Sequence, residues 1–234
     1  MPILVGIDGT GGGAFPTDAR NARYDRDFAN SFVRRLCRQG SEDVRYFRGP
    51  VTLGGGLVSA VSDGVDFVVS RKAANPGAPV LLTGYSRGAA GAVAIAQRLQ
   101  RQSIDVRALL LFDCVDRHIT IDAEVVPNNV GYVMHVVRNP RSESRESFSN
   151  DGLRYRPPTV YPAAYQFLCT HGGMGGTPWQ RPADKQPSDF IDEGFPDGMT
   201  KITFAQDEQV SRQVWSFVQP FCRTQGFISG GGGS

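Results

Sequence analysis

The feature that most constrains this chain is the alternation of two apolar periods along its length. Ile3 to Ile7 is a short, fully apolar run, as expected of a strand covered on both faces. After a glycine-rich loop, Phe28, Phe32 and Leu36 recur at helical spacing, and Val44 to Phe47 is strand-like. Leu57, Val61, Val65 and Val69 lie four apart, giving one apolar helix face that ends before Asn75-Pro76-Gly77. Val80 to Thr83 reads as a strand, Ala90, Val93, Ala94 and Leu99 mark the helix after it, and Ala108 to Phe112 is another buried strand. Further on the pattern loosens. Gly131 to Val137 is a strand, an Arg- and Ser-rich segment runs to about residue 156, and Phe167 to Cys169 makes a last short strand. Residues 172–206 are rich in Gly, Pro and Asp and read as a long loop; Val210, Val214, Phe217, Val218 and Phe221 define a closing amphipathic helix. With no internal repeat and no linker, residues 1–228 are expected to form one α/β domain. Its sheet would be mostly parallel, with helices on both faces. Residues 229–234 read as a flexible Gly/Ser tail.

Charge and cysteine usage narrow the function. The 25 basic and 23 acidic side chains leave a formal charge of +2, too even for nucleic acid or an anionic membrane as main partner. Apolar residues at 40% suffice for a sizeable core, yet no stretch approaches the run of about 20 needed to span a bilayer. The start, Met-Pro-Ile-Leu-Val, lacks the basic segment and cleavage site of a signal peptide. Synthesis in the cytoplasm without a signal peptide is therefore expected, with export by a signal-independent system left open. Cys37, Cys114, Cys169 and Cys222 are widely spaced with no CxxC pair, which suits free buried thiols; a disulfide would require an oxidising compartment.

In parallel sheets of this kind ligands bind at the carboxyl ends of the strands. Gly84-Tyr85-Ser86-Arg87-Gly88 fits G-x-S-x-G directly after one strand and directly before a helix. A serine on so tight a turn presents its hydroxyl above the sheet, and the helix start offers N–H groups and a positive dipole end to a developing oxyanion. With 28 glycines in the chain, the bare pattern arises by chance about 0.23 times, so its placement carries the weight.

A serine nucleophile needs a base and the base an orienting acid. Of three histidines, His135 sits inside a strand and suits a core imidazole, while His118 suits the surface. His171 follows the last strand among glycines and is the best-placed base. Asp113 closes the strand Ala108 to Phe112 and leads as the acid, with Asp116 behind it and Asp189, Asp192 and Asp207 as remoter candidates. A metal site would instead use Asp113, Asp116 and His118. The loop Asp8-Gly9-Thr10-Gly11-Gly12-Gly13 fits neither G-x-x-x-x-G-K-[ST] nor G-x-G-x-x-G, so a nucleotide is not expected there. The order Ser, Asp, His is that of α/β-hydrolases. With Val80 to Thr83 as the nucleophile strand, Ile3 to Ile7 becomes the third strand of that fold, and its first two strands are missing. The glycine loop then falls where the second oxyanion donor is needed.

Four blocks carry a family resemblance: Ile7-Asp8-Gly9-Thr10, Gly84-Tyr85-Ser86-Arg87-Gly88-Ala89, Phe112-Asp113-Cys114-Val115 and His171-Gly172-Gly173-Met174-Gly175-Gly176. Together they resemble a bacterial and fungal α/β-hydrolase family that includes the phospholipase effectors of type VI secretion. Gly173 and Met174 depart from it, standing where that family has Asp and Val. The resemblance implies a triad of Ser86, Asp113 and His171, oxyanion donors on the backbone of Gly9, Thr10 and Arg87, and neither metal nor organic cofactor. It implies a small-molecule or lipid ester as substrate, with peripheral membrane contact and a secretion or inhibitor protein as further partners. The expectation is a serine esterase of the lipase or phospholipase kind working through an acyl-enzyme, the Arg87 side chain reaching a substrate anion or a salt bridge, and Asp8 pinning its loop. The rivals are hydrolysis of a thioester, peptide or polyester, and a binding protein with an inactive hydrolase fold.

Overall fold

Strands apolar on both sides have to be covered on both sides, and that requirement organises the molecule. The computed structural model describes residues 1–12, 17–38, 43–116, 121–148, 154–155, 159–160 and 164–228. Its first half runs β1 (Ile3–Ile7), α1 (Asp18–Asp27), α2 (Phe32–Cys37), β2 (Val44–Phe47), α3 (Leu57–Ala74), β3 (Val80–Tyr85), α4 (Arg87–Gln100) and β4 (Val106–Phe112). The second runs β5 (Val125–Val126), β6 (Val130–Arg138), β7 (Arg154–Tyr155), β8 (Tyr165–Phe167), α5 (His171–Met174), β9 (Phe190–Asp192), β10 (Met199–Thr203) and α6 (Phe204–Gln225). Six strands form one sheet in the order β2-β1-β3-β4-β6-β8, and every pairing in it is parallel. This is an α/β-hydrolase arrangement with β3, the strand before Ser86, at its centre.

Side-chain alternation sorts the core into two layers. Ile3, Val5, Ile7, Val80, Leu82, Leu109 and Leu111 point to one face and pack under α3 and α4, against Val61, Val65, Val93 and Leu99. Leu4, Leu81, Ala108, Leu110 and Phe112 point to the other, where Phe32 and Leu36 of α2 and Val214, Val218 and Cys222 of α6 cover them. All four cysteines are free thiols, and Cys114, Cys169 and Cys222 are buried.

Several elements depart from the sequence reading. The helix expected through Phe28, Phe32 and Leu36 is two helices: Phe28 closes α1 and Ser31 caps α2, its Oγ accepting from Arg34 N at 3.1 Å. The three residues nonetheless face one core layer across the break, which is why their spacing looked continuous. Helix α1 buries only Arg20 and Tyr24, so apolar periodicity could not reveal it. The last sheet strand is Tyr165–Phe167, two residues before the expected one, and Cys169 is packed beneath α5 instead. Within residues 172–206, β9 and β10 pair antiparallel over a small separate core of Ile191, Ile202 and Phe204. The tail at 229–234 lies outside the described residues.

The approach of α4 to the sheet depends on a missing side chain. A Cβ on Gly88 would stand 2.2 Å from Ile7 O and 2.3 Å from Asp8 O, against backbone that cannot yield. Gly88→Ala is therefore expected to lose about 3 kcal/mol or more in denaturant unfolding, the upper end of overpacking costs. Gly12→Ala, with open space around it, is expected to change stability by less than about 0.5 kcal/mol.

Candidate active site

Ser86 sits between β3 and α4 at φ 57° and ψ −129°, a conformation costing a non-glycine residue about 1–3 kcal/mol. The surroundings enforce it. Ser86 N donates to Phe112 O at 3.0 Å, Ser86 O accepts from Ala89 N and Val115 N, and a Cβ at Gly84 would meet Gly88 O at 2.4 Å. One residue past β4, Asp113 also has positive φ, 44°, and its N–H donates to Val136 O at 2.7 Å. His171 opens α5, the four-residue helix capped by Thr170.

These three side chains meet. His171 Nε2 lies 2.9 Å from Ser86 Oγ, and His171 Nδ1 lies 2.6 Å from Asp113 Oδ2. With Asp113 ionised, the proton belongs on Nδ1 and Nε2 is left to accept from the serine. Burial pushes the Asp113 carboxyl up, but the His171 hydrogen bond and the charges of His171 and Arg138 outweigh it and bring it down to about 2. Ser86 and His171 open onto a cleft of about 1500 Å³ walled by Phe28, Phe32, Phe148, Trp179 and Trp215.

The imidazole is held from several elements. His171 N donates to Ser144 Oγ at 2.9 Å, and its carbonyl accepts from Tyr85 OH at 2.9 Å. Asp207 of α6 accepts from Thr170 N at 2.8 Å, Thr170 Oγ1 at 2.9 Å and Trp179 N at 3.0 Å. It thereby holds the loop in front of the histidine. Gly173 is explained here, because a Cβ on it would strike Asp207 Oδ1 at 2.4 Å. Phe148 meets the imidazole edge-on, with ring centroids 5.3 Å apart.

The oxyanion expectation needs correction at Gly9. Its N–H donates to Asp8 Oδ1 at 3.0 Å and its carbonyl accepts from Tyr24 OH at 2.7 Å, so both polar groups serve the loop itself. Thr10 lines the cleft with Ser86 and His171, and its Oγ1 is buried without a hydrogen-bond partner. Arg87 opens α4, where the N–H points out of the helix end, and its Nη1 donates to Thr52 O at 2.8 Å. Among the remaining candidates, Asp116 accepts from Ala123 N, while Asp189 accepts from Gln186 N and Asp192 from Gly194 N within local turns. His118 lies outside the described residues.

Sequence reasoning overlooked Arg138, Ser144 and Glu193. Arg138 is the last residue of β6, at the carboxyl edge of the sheet, and no motif in the sequence marks it. Its Nη1 donates to Asp113 Oδ2 at 2.6 Å. Ser144 Oγ donates to Glu193 Oε1 at 2.9 Å, and Arg145 N donates to Glu193 Oε2, which ties the β9–β10 hairpin to the histidine.

Two other buried groups oppose each other in their pH dependence. Asp8 accepts from Ser31 Oγ, Tyr46 OH and Gly9 N, yet burial outweighs these bonds and raises its carboxyl to about 7. Ionising it costs the folded state, so its contribution to stability is lost as pH rises from about 4 to about 7. Burial lowers His135 to about 4, its Nε2 accepting from Cys114 N at 3.3 Å. There the unfolded chain protonates first, so stability rises with pH from about 4 to about 6.5. At about 1.4 kcal/mol per pH unit the two effects are on the order of 4 and 3 kcal/mol, and across the window they share, pH 4 to 6.5, they are expected largely to cancel. Asp8→Asn should unmask a rise with pH in denaturant unfolding from pH 4 to 6.5, and a variant profile as flat as wild type would refute the assignment.

Residues 69–210 match the model of the thioesterase domain family. No curated protein matches the chain. Among solved structures, a covalent complex of the NocB thioesterase domain with a fluorophosphonate nocardicin G analog is 17% identical, over 74% of this chain and 87% of that one, with a TM-score of 0.41. A yden-like hydrolase from Pectobacterium atrosepticum is 14% identical over 76% and 85% of the two chains, at a TM-score of 0.34. Lysin B from Mycobacteriophage D29 is 16% identical over 95% and 90%, at 0.28. The family match spans more than half of the 234 residues and takes in Ser86, Asp113 and His171. This chain therefore belongs to the thioesterase-domain family of α/β-hydrolases.

Proposed function

We propose that this chain is a serine acyl hydrolase that transfers the acyl group of a thioester to Ser86 and then to water. The observation that carries the reading is the continuous line from Ser86 Oγ through the His171 imidazole to Asp113 Oδ2, with steps of 2.9 and 2.6 Å. His171 Nε2 takes the serine proton as Oγ attacks the acyl carbon, and the imidazolium is stabilised by Asp113. Collapse of the tetrahedral intermediate expels the thiol, which takes up the proton, and a water activated by the same imidazole releases the acid. The oxyanion is assigned to Thr10, through its N–H and its unpartnered Oγ1, and to the Arg87 N–H at the start of α4.

Oxygen esters are the second reading. The likeness of the Asp8-Gly9-Thr10 and Gly84–Ala89 blocks to the phospholipase-containing family favours it, and so does the cleft. Arg23, Arg26, Arg35, Arg145 and Arg212 line it against two carboxylates, Asp27 and Glu208, beside the aromatic walls. That lining suits an acyl chain together with an anionic group such as a phosphate.

Fluorophosphonate labelling is expected to modify wild type and not Ser86→Ala; a folded wild type that stays unlabelled would favour the binding-protein rival. Matched N-acetylcysteamine thioesters and p-nitrophenyl esters of increasing acyl length, beside phospholipid release, then rank the substrates. Higher kcat/KM on the thioester series supports the first reading, and the reverse order the second. Thr10→Val is expected to lower kcat about 100-fold with KM little changed, in line with loss of one oxyanion donor. An unchanged kcat would remove its hydroxyl from the mechanism.

A further inference from the structure

The guanidinium of Arg138 is buried, and each of its nitrogens is engaged. Nε donates to Ser144 O at 2.9 Å and Nη2 to Arg145 O at 3.0 Å, while Nη1 donates to Asp113 Oδ2 at 2.6 Å. The Arg138 N–H donates to the other carboxylate oxygen, Oδ1, at 3.1 Å. The same Nη1 stands 3.3 Å from His171 Nδ1. When Nδ1 carries its proton this is a contact between two donors, not a hydrogen bond. Asp113 Oδ2 is thus shared by the imidazole that needs it and by a permanent cation.

We propose that Arg138 is a positioning residue of the hydrolytic site: it clamps Asp113 to the end of β6 and the 144–145 turn, and its charge opposes protonation of the neighbouring imidazole. This rests on the serine-hydrolase reading above. The clamp fixes the carboxylate on both oxygens, so the acid cannot rotate away when the histidine charges. The cation has a separate effect. A positive charge this close, in a site sheltered from water, disfavours a second one.

The groups around His171 leave Arg138 as the main opposing charge. Ser86 and Tyr85 face it from β3 and the elbow, and Asp113 from β4. From the 144–148 turn come Ser144 Oγ and the Phe148 ring. Arg145 lines the same cleft but is paired with Asp197 at 3.2 Å and lies near Glu193 at 3.8 Å. Asp207 of α6 acts through Thr170, and Glu193 through Ser144. Among the described residues, Asp113 and Arg138 are the charged groups with atoms at hydrogen-bonding distance from the ring.

The test is the pH dependence of fluorophosphonate modification of Ser86 in the full chain, from pH 4.5 to 9, which needs no knowledge of the natural substrate. In Arg138→Met the acid limb is expected to move up by about one pH unit, so that labelling at pH 5 slows about tenfold more than at pH 8.5. Arg138→Lys keeps the charge and loses the bonds to Ser144 O and Arg145 O; it should label more slowly at every pH with the limb at its wild-type position. Ser144→Ala removes a support of His171 without touching the charge and should also leave the limb in place. An unmoved limb in Arg138→Met overturns the charge role. So does a limb that moves in Arg138→Lys, a variant that decides the matter even where the methionine variant fails to fold. Failure of wild type to label would instead refute the nucleophile reading, and this proposal with it.

Discussion

A fully buried carboxylate has to be paired, and Asp113 is the charge around which this site is built. It lies at the end of the central strand β4, where solvent cannot reach it, and accepts from a backbone N–H, a guanidinium and an imidazole. Each of these donors comes from a different strand or helix than the carboxylate itself. Satisfying one buried charge thereby fixes the relative positions of β4, β6 and α5. A neutral residue at this position would take the carboxylate away from a buried guanidinium, so the arrangement is held together by the cost of taking it apart.

The proposed nucleophile is positioned by a different kind of force. Ser86 is held by steric exclusion: the approach of α4 to β1 is too close for any side chain at Gly88, and the elbow too tight for one at Gly84. Its strained backbone persists because the hydrogen bonds to Phe112 O and from Val115 N leave no relaxed alternative. Electrostatic pairing orients the acid and base, and packing sets the serine. The two converge because β3 and β4 are adjacent and parallel, which brings their carboxyl ends side by side.

What could be read in the sequence follows from this division. Apolar runs report burial, so the sheet strands and the helices with wide apolar faces were legible. The elbow was legible because close packing demands glycine at fixed offsets. Helix α1 was not, since it buries Tyr24 and Arg20 and little else, and the β9–β10 hairpin was not, since its strands are short and alternate with polar residues. The line from Ser86 to His171 to Asp113 could be inferred because strand ends and residue types suffice to nominate it. Arg138 escaped because nothing local distinguishes a buried arginine from an exposed one, and the carboxylate it pairs with, Asp113, lies 25 residues away. The Gly9 amide was misassigned for a similar reason, because the neighbouring Asp8 carboxylate turns back on it only within the folded loop.

The proposed base, His171, has the least regular structure around it of the three, since a four-residue helix cannot fix an imidazole by itself. The fold compensates from outside. Tyr85 holds the His171 carbonyl from β3, Ser144 holds its N–H from the turn after β6, and Asp207 holds the preceding threonine from α6. The last of these accounts for Gly173, where a side chain would strike Asp207. In this chain the carboxylate arrives from another element, and the glycine makes room for it. A loop supported this way owes its geometry to long-range contacts more than to its own sequence. Those contacts hold the imidazole within hydrogen-bond reach of both Ser86 and Asp113.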